Sequence, residues 1–111
     1  MQSVVLIAQE RTELQNILAF LGADSEEELD SYEVERLENY LSRPLQINCS
    51  SPVRLISSGL MTQYQVASLK DYISRNGDVL SLSELAAVDG FDRDFVNKLA
   101  PFISLLSYAK P

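Results

Sequence analysis

At 111 residues, 46% of them hydrophobic, the chain has room for one small globular domain or a compact module with an appendage. With no histidine and one cysteine, Cys49, it has no internal disulfide and no Cys/His zinc site, and Cys49 lacks the imidazole base that thiol nucleophiles usually need. The net charge of −7 is carried by residues 1–43, because residues 44–111 balance six acids against six bases, so the chain lacks the basic footprint of a nucleic-acid binder while its second part leaves room for a local basic face.

The chain opens on the short apolar run Val4-Val5-Leu6-Ile7-Ala8. Three readings stand side by side: a strand over Ser3–Ile7, a frayed terminus, and the tail of a truncated secretory signal. Met1-Gln2-Ser3 lacks the basic start of a signal, and Ala8 before Gln9 suits a cleavage site although Leu6 is large for its place. An exported, periplasmic or envelope location is the expectation, with a cytoplasmic one open. No stretch approaches the roughly 20 apolar residues of a membrane span.

The first helical pattern covers residues 10–21, with Leu14, Ile17, Leu18 and Leu21 on one face and Gly22 as its stop. Asp24-Ser25-Glu26-Glu27-Glu28 reads as an acidic helix start, with Ser25 and Glu28 spaced as a capping box; it lacks the alternation and glycine bend of a calcium loop. The second pattern, residues 32–43, ends before Pro44. It recurs 32 residues on: Tyr32, Val34, Leu37, Tyr40, Ser42 and Arg43 match Tyr64, Val66, Leu69, Tyr72, Ser74 and Arg75. Such a period points to repeated helical units.

Residues 45–51 read as a polar connector, after which Ser51 and Pro52 are good cap and first-turn residues for a short helix over 52–57. Ser58-Gly59 breaks it. Thr62 and Gln65 form a second capping box for a helix running to Asn76, where Gly77 ends it. Ser81 and Glu84 form a third, opening a helix over 82–88. Asp89-Gly90-Phe91 turns the chain, Asp92 caps a last helix over 93–100, and Phe102, Ile103, Leu105 and Leu106 add an apolar segment after Pro101. The expected core is Val34, Leu37, Leu55, Val66, Leu69, Ile73, Leu85, Val88, Phe91, Val96 and Leu99, with the 10–21 helix packed on it or on a missing neighbour. Outside Ser3–Ile7 no strand is expected.

From Pro44 onward the order of residues resembles tandem helix-hairpin-helix domains. Ile47-Asn48-Cys49-Ser50-Ser51 matches their lead-in and Leu55 their first helix. Ser58-Gly59-Leu60-Met61 is a degenerate first hairpin, and Leu80–Asp92 a much better second one. Pro44–Phe102, about half the chain, is similar to the modules of bacterial competence DNA-uptake receptors. It is closer still to exported bacterial helix-hairpin-helix proteins of unassigned role, through Tyr72-Ile73-Ser74-Arg75-Asn76-Gly77 and Ser81 to Leu85. The resemblance implies an all-α, tandem helix-hairpin-helix (SAM-like) domain over 31–106, preceded by an N-terminal extension, 1–30, with one or two helices, and followed by a tail, 107–111.

In such hairpins backbone amides around the glycines meet a phosphate at the next helix start, and a nearby basic residue completes the contact. The resemblance therefore implies Gly59 and Gly90 as phosphate positions, with Arg93, Lys98 and Lys70 as candidate contacts. This chain departs from the pattern: Asp92 stands where the second glycine belongs, Thr62 fills the equivalent cap of the first hairpin, and Asp94 sits beside Arg93. The expected function is a non-enzymatic structural or protein-interaction module, with a protein partner or the remainder of a longer chain favoured. Sequence-nonspecific DNA binding is the alternative. The close acid pairs Asp89/Asp92 and Asp92/Asp94 read as caps, and no catalytic group, metal site, cofactor or small-molecule ligand is expected.

Overall fold

The computed structural model describes residues 13–22 and 30–107, and over them the chain is mostly helical. The expected strand over Ser3–Ile7, the signal reading, the Ser25/Glu28 box and residues 108–111 of the tail lie outside the described residues.

From the second helix on, each α-helix starts where a side chain takes up an amide that the first turn leaves unpaired. Helix α1 covers residues 13–21. Helix α2, Ser31–Ser42, opens on Asp30, whose carboxylate accepts the Tyr32 N–H at 2.9 Å. Helix α3, Pro52–Ser57, has Ser51 Oγ accepting the Arg54 N–H and Pro52 in its first turn. Helix α4, Gln63–Asn76, carries the complete box: Thr62 Oγ1 accepts from Gln65 N at 3.1 Å, and Gln65 Oε1 from Thr62 N at 2.9 Å. Helix α5 is Leu82–Leu85, capped by Ser81. Helix α6, Arg93–Leu99, is capped by Asp92, which accepts the Phe95 N–H at 2.7 Å. Pro101 cannot continue an α-helix, and the chain tightens into a 3₁₀ turn over Ala100–Phe102.

Three capped helices share one arrangement. Asp30, Thr62 and Asp92 cap α2, α4 and α6, a valine follows four residues later (Val34, Val66, Val96), and a leucine seven residues later (Leu37, Leu69, Leu99). All three leucines are fully buried. The recurrence legible between α2 and α4 thus extends to α6, since four and seven residues past a cap fall on one helical face.

The polar-connector reading of residues 45–51 is corrected, as is the expectation of no strand in this part of the chain. Leu45–Gln46 forms strand β1, paired in parallel with β2, Ile103–Ser104, in the register Leu45 to Ile103 and Gln46 to Ser104. Leu45 and Ile47 belong to the core. Two-residue strands carry too little alternation to announce themselves in sequence. Asn48 continues the tie: its Nδ2 donates to the carbonyls of Val79 at 2.9 Å and Leu105 at 3.3 Å, and its Oδ1 accepts the Val79 N–H at 2.9 Å.

The helix expected over 82–88 is also shorter than its pattern. After α5 the amides of Ala87, Val88 and Phe91 bond three residues back rather than four. This tightening still delivers Val88 and Phe91 to the core, which is why the apolar spacing resembled a longer helix. In the third box Glu84 does not return to its cap residue. Its Oε1 accepts the Leu80 N–H at 2.8 Å, and its Oε2 accepts the Tyr72 hydroxyl at 2.6 Å.

Of the expected core, Val34 and Ile73 are only partly buried at its edge, and the rest are buried. Helix α1 packs on this same core: Ile17 is 1% exposed, and the Phe20 ring lies 5.3 Å from Phe102 and 6.3 Å from Phe95, within the range of favourable tilted aromatic pairs.

Candidate functional site

The features that resemble a phosphate grip lie at two turns, residues 58–62 between α3 and α4 and residues 86–92 between α5 and α6. Both turn on a glycine with positive φ, 73° at Gly59 and 89° at Gly90, which side chains disfavour.

In the first turn the polar groups are bound locally. The Gly59 N–H donates to the Ile56 carbonyl, and the Leu60 N–H to Ser58 Oγ at 3.1 Å. That hydroxyl is buried and itself donates to the Leu55 carbonyl at 2.6 Å. The Thr62 N–H goes to Gln65 Oε1. The guanidinium of Arg36, from α2, lies over the glycine, so that a Cβ built on Gly59 would stand 2.8 Å from Arg36 Cζ.

The second turn is held from outside by the start of α4. Gln65 Nε2 donates to the Gly90 carbonyl at 2.9 Å, and the Tyr64 hydroxyl donates to Asp89 Oδ2. A Cβ on Gly90 would meet the Tyr64 ring at 3.1 Å. The Asp89 carboxylate, through the hydrogen bond and then its charge, pushes the Tyr64 hydroxyl above the usual tyrosine range. Asp92 takes up the Phe95 amide at the α6 start, so that donor is already paired within the chain. One face of Gly90 is therefore covered by an aromatic ring, and the nearest helix start holds a carboxylate of its own.

The candidate basic residues do not converge. Arg93 is exposed in the first turn of α6, next to Asp94. Lys98 is exposed in its last turn. Five helical residues apart, the two are turned roughly 140° from each other and offset by about 7.5 Å along the axis. Lys70 is half-buried in the middle of α4, eight residues past its cap. Of the three, only Arg93 stands at the Gly90 turn.

Sequence reasoning missed the residues that tie the turns together. Tyr64 and Gln65 reach Asp89 and Gly90 across 25 residues, and Gln65 announced only its local role in the box. It also missed a polar group at the end of α2, Arg36, Asn39 and Tyr40 on the helix and Arg43 at its C-terminal cap. The spacing of three and four residues puts the first three on one helix face, but the Arg54 that faces them comes from α3.

Among the described residues no helix is long and apolar enough to cross a membrane. The fold thus defines a small, mostly helical protein built around two capped glycine turns. No protein family, curated protein or solved structure matches this chain.

Proposed function

We propose that this chain is a tandem helix-hairpin-helix module without enzymatic activity, used as a structural or protein-interaction scaffold rather than as a phosphate grip. The observation that carries the reading is the occupancy of both turns by the protein's own side chains, above all Gln65, whose amide serves the first turn through Thr62 N and the second through Gly90 O. A phosphate approaching Gly90 would meet the Tyr64 ring on one side and the carboxylates of Asp89 and Asp92 close by. Arg93 by itself offers one cation against those two acids, and the net charge of −7 opposes long-range attraction of a polyanion. Buried Ser58 and the shared Gln65 amide make the turns rigid corners, which suits a module that presents its surface to a partner or to the rest of a longer chain.

The test is a titration of the protein with duplex DNA at low salt, followed by fluorescence anisotropy, beside the Arg93→Glu/Lys98→Glu variant. The scaffold reading expects no saturable binding in the micromolar range and no difference between the two proteins. Micromolar binding that falls steeply with salt and disappears in the variant would establish sequence-nonspecific DNA binding instead.

A further inference from the structure

In a chain with this excess of acids, one cleft is lined, among the described residues, by three arginines and no carboxylate. Between α2 and α3 lies an open cleft of about 460 Å³, bounded by Arg36, Asn39, Tyr40, Ser42, Arg43 and Arg54. The helix period places Arg36, Asn39 and Tyr40 on one face of α2, Arg43 follows at its C-terminal cap, and Arg54 lines the same cleft from α3. Among the described residues none of the three arginines makes an ion pair, the one bridge there being Arg75 to Asp71 on the outer surface of α4.

Arg36 is the most telling of the three. Its guanidinium rests against Gly59, and its Nε is buried with no hydrogen-bond partner among the described residues. A buried donor on a permanently charged group is costly to leave unpaired, and a water or an anion is the kind of partner that satisfies it. The exposed carbonyls at the end of α2 place about half a negative charge nearby, which three guanidinium groups outweigh several-fold. The remaining wall adds the Tyr40 and Ser42 hydroxyls and the Asn39 amide, all able to donate to an oxyanion.

Three guanidinium charges with no ion pair among the described residues match a compact, multiply charged anion better than a lone carboxylate or a phosphodiester, each of which carries one charge. A phosphate monoester carries about −1.5 to −2 at neutral pH and offers three acceptor oxygens to forked guanidinium donors. We propose that the cleft between α2 and α3 binds a phosphate monoester or diphosphate group through Arg36, Arg43 and Arg54. The site is remote in sequence from the Gly90 turn, and it adjoins the first turn only through Arg36, whose guanidinium rests against Gly59. The group arrives either on a free phosphorylated molecule or on a phosphorylated segment of a partner protein.

The experiment is a ¹H–¹⁵N NMR titration of the full chain, arginine Nε–H signals included, at constant ionic strength set with sodium chloride. One arm uses sodium pyrophosphate, a second a short phosphoserine peptide, a third the same peptide with glutamate in place of phosphoserine, and a fourth duplex DNA. The expected result is saturable shifts confined to residues 36–43, 52–57 and the Arg36 Nε–H, from pyrophosphate, from the phosphopeptide or from both. Saturation by pyrophosphate alone identifies a free ligand, and preference for the phosphopeptide a modified partner. Arg43→Ala and Arg54→Ala, both at exposed positions, should each weaken binding by about tenfold or more, as expected for loss of a charge-assisted bidentate contact. The proposal is overturned if no arm gives saturable shifts, if the shifts centre on Gly90 and Arg93, if the two alanine variants bind as well as the parent, or if the glutamate peptide or DNA binds the cleft as tightly as the phosphate probes.

Discussion

Gln65 and Gly90 are joined by a 2.9 Å hydrogen bond from a side-chain amide to a backbone carbonyl, and the same amide caps its own helix through Thr62. Its oxygen faces an N–H and its nitrogen faces a C=O, so both partners agree on one amide orientation. Removing it should therefore loosen two turns at once. Gln65→Ala is expected to cost about 1–2 kcal/mol in urea unfolding, one capping bond plus one cross-turn bond. Thr62→Ala should cost about 1 kcal/mol. Because the two residues share the capping box, the double variant should lose less than the sum, and strict additivity would refute the coupling.

Gly90 has two separable reasons to be glycine. Its φ of 89° should cost an alanine about 1–2 kcal/mol, and the new Cβ would press on the Tyr64 ring. Gly90→Ala should thus destabilise by more than the backbone contribution. Placing it in a Tyr64→Ala background should recover the crowding part and leave the backbone part. Equal costs in both backgrounds, measured by thermal unfolding, would show that the ring yields freely.

Asn48 supplies two-way pairing to Val79, which is fully buried. Asn48→Ala leaves the Val79 N–H and C=O without partners at a site closed to water, and should cost about 2–4 kcal/mol. It should also speed hydrogen exchange at Val79 and along the β1–β2 pairing beside it. A loss well under 1 kcal/mol would mean that water replaces the side chain there.

The Tyr72–Glu84 contact sets a pH dependence at both ends of the range. The Leu80 N–H and then the Tyr72 hydroxyl hold the Glu84 carboxyl below the usual glutamate range. A lowered folded-state value contributes stability that is present above the ordinary value, about 4.3, and is lost as pH falls through the lower folded one. Glu84→Gln should therefore be less stable than the parent near neutrality and approach it in acid. The Tyr72 hydroxyl is pushed upward, first by its bond to Glu84. That contribution is present below the ordinary tyrosine value, about 10, and is lost as pH rises through the higher folded one. The Tyr72→Phe deficit should accordingly shrink in alkali. Parallel stability curves for parent and variants across both ranges would disprove these assignments.

What could be read from the sequence was local chemistry. Thr62 with Gln65, Ser51 with Pro52, and Asp92 before Phe95 each act within three residues, where spacing alone sets the geometry, and each cap stands where its spacing placed it. The apolar face of each helix was legible for the same reason, since Leu37, Leu69 and Leu99 follow the helical period. Glu84 marks the boundary: its place three residues after Ser81 was visible, but its carboxylate turned to Tyr72 on another helix and to Leu80.

By itself, then, the sequence determined a small, mostly helical chain with capped starts and two glycine turns, because those depend on residues within one or two helical turns of each other. Only the tertiary structure decided that Leu45 pairs with Ile103, that Asn48 binds Val79, that Tyr64 and Gln65 cover Gly90, and that Arg54 faces Arg36 and Arg43. These partners lie far apart along the chain and carry no shared period. They meet because burying the core fixes how the helices pack, and packing sets which polar groups face one another.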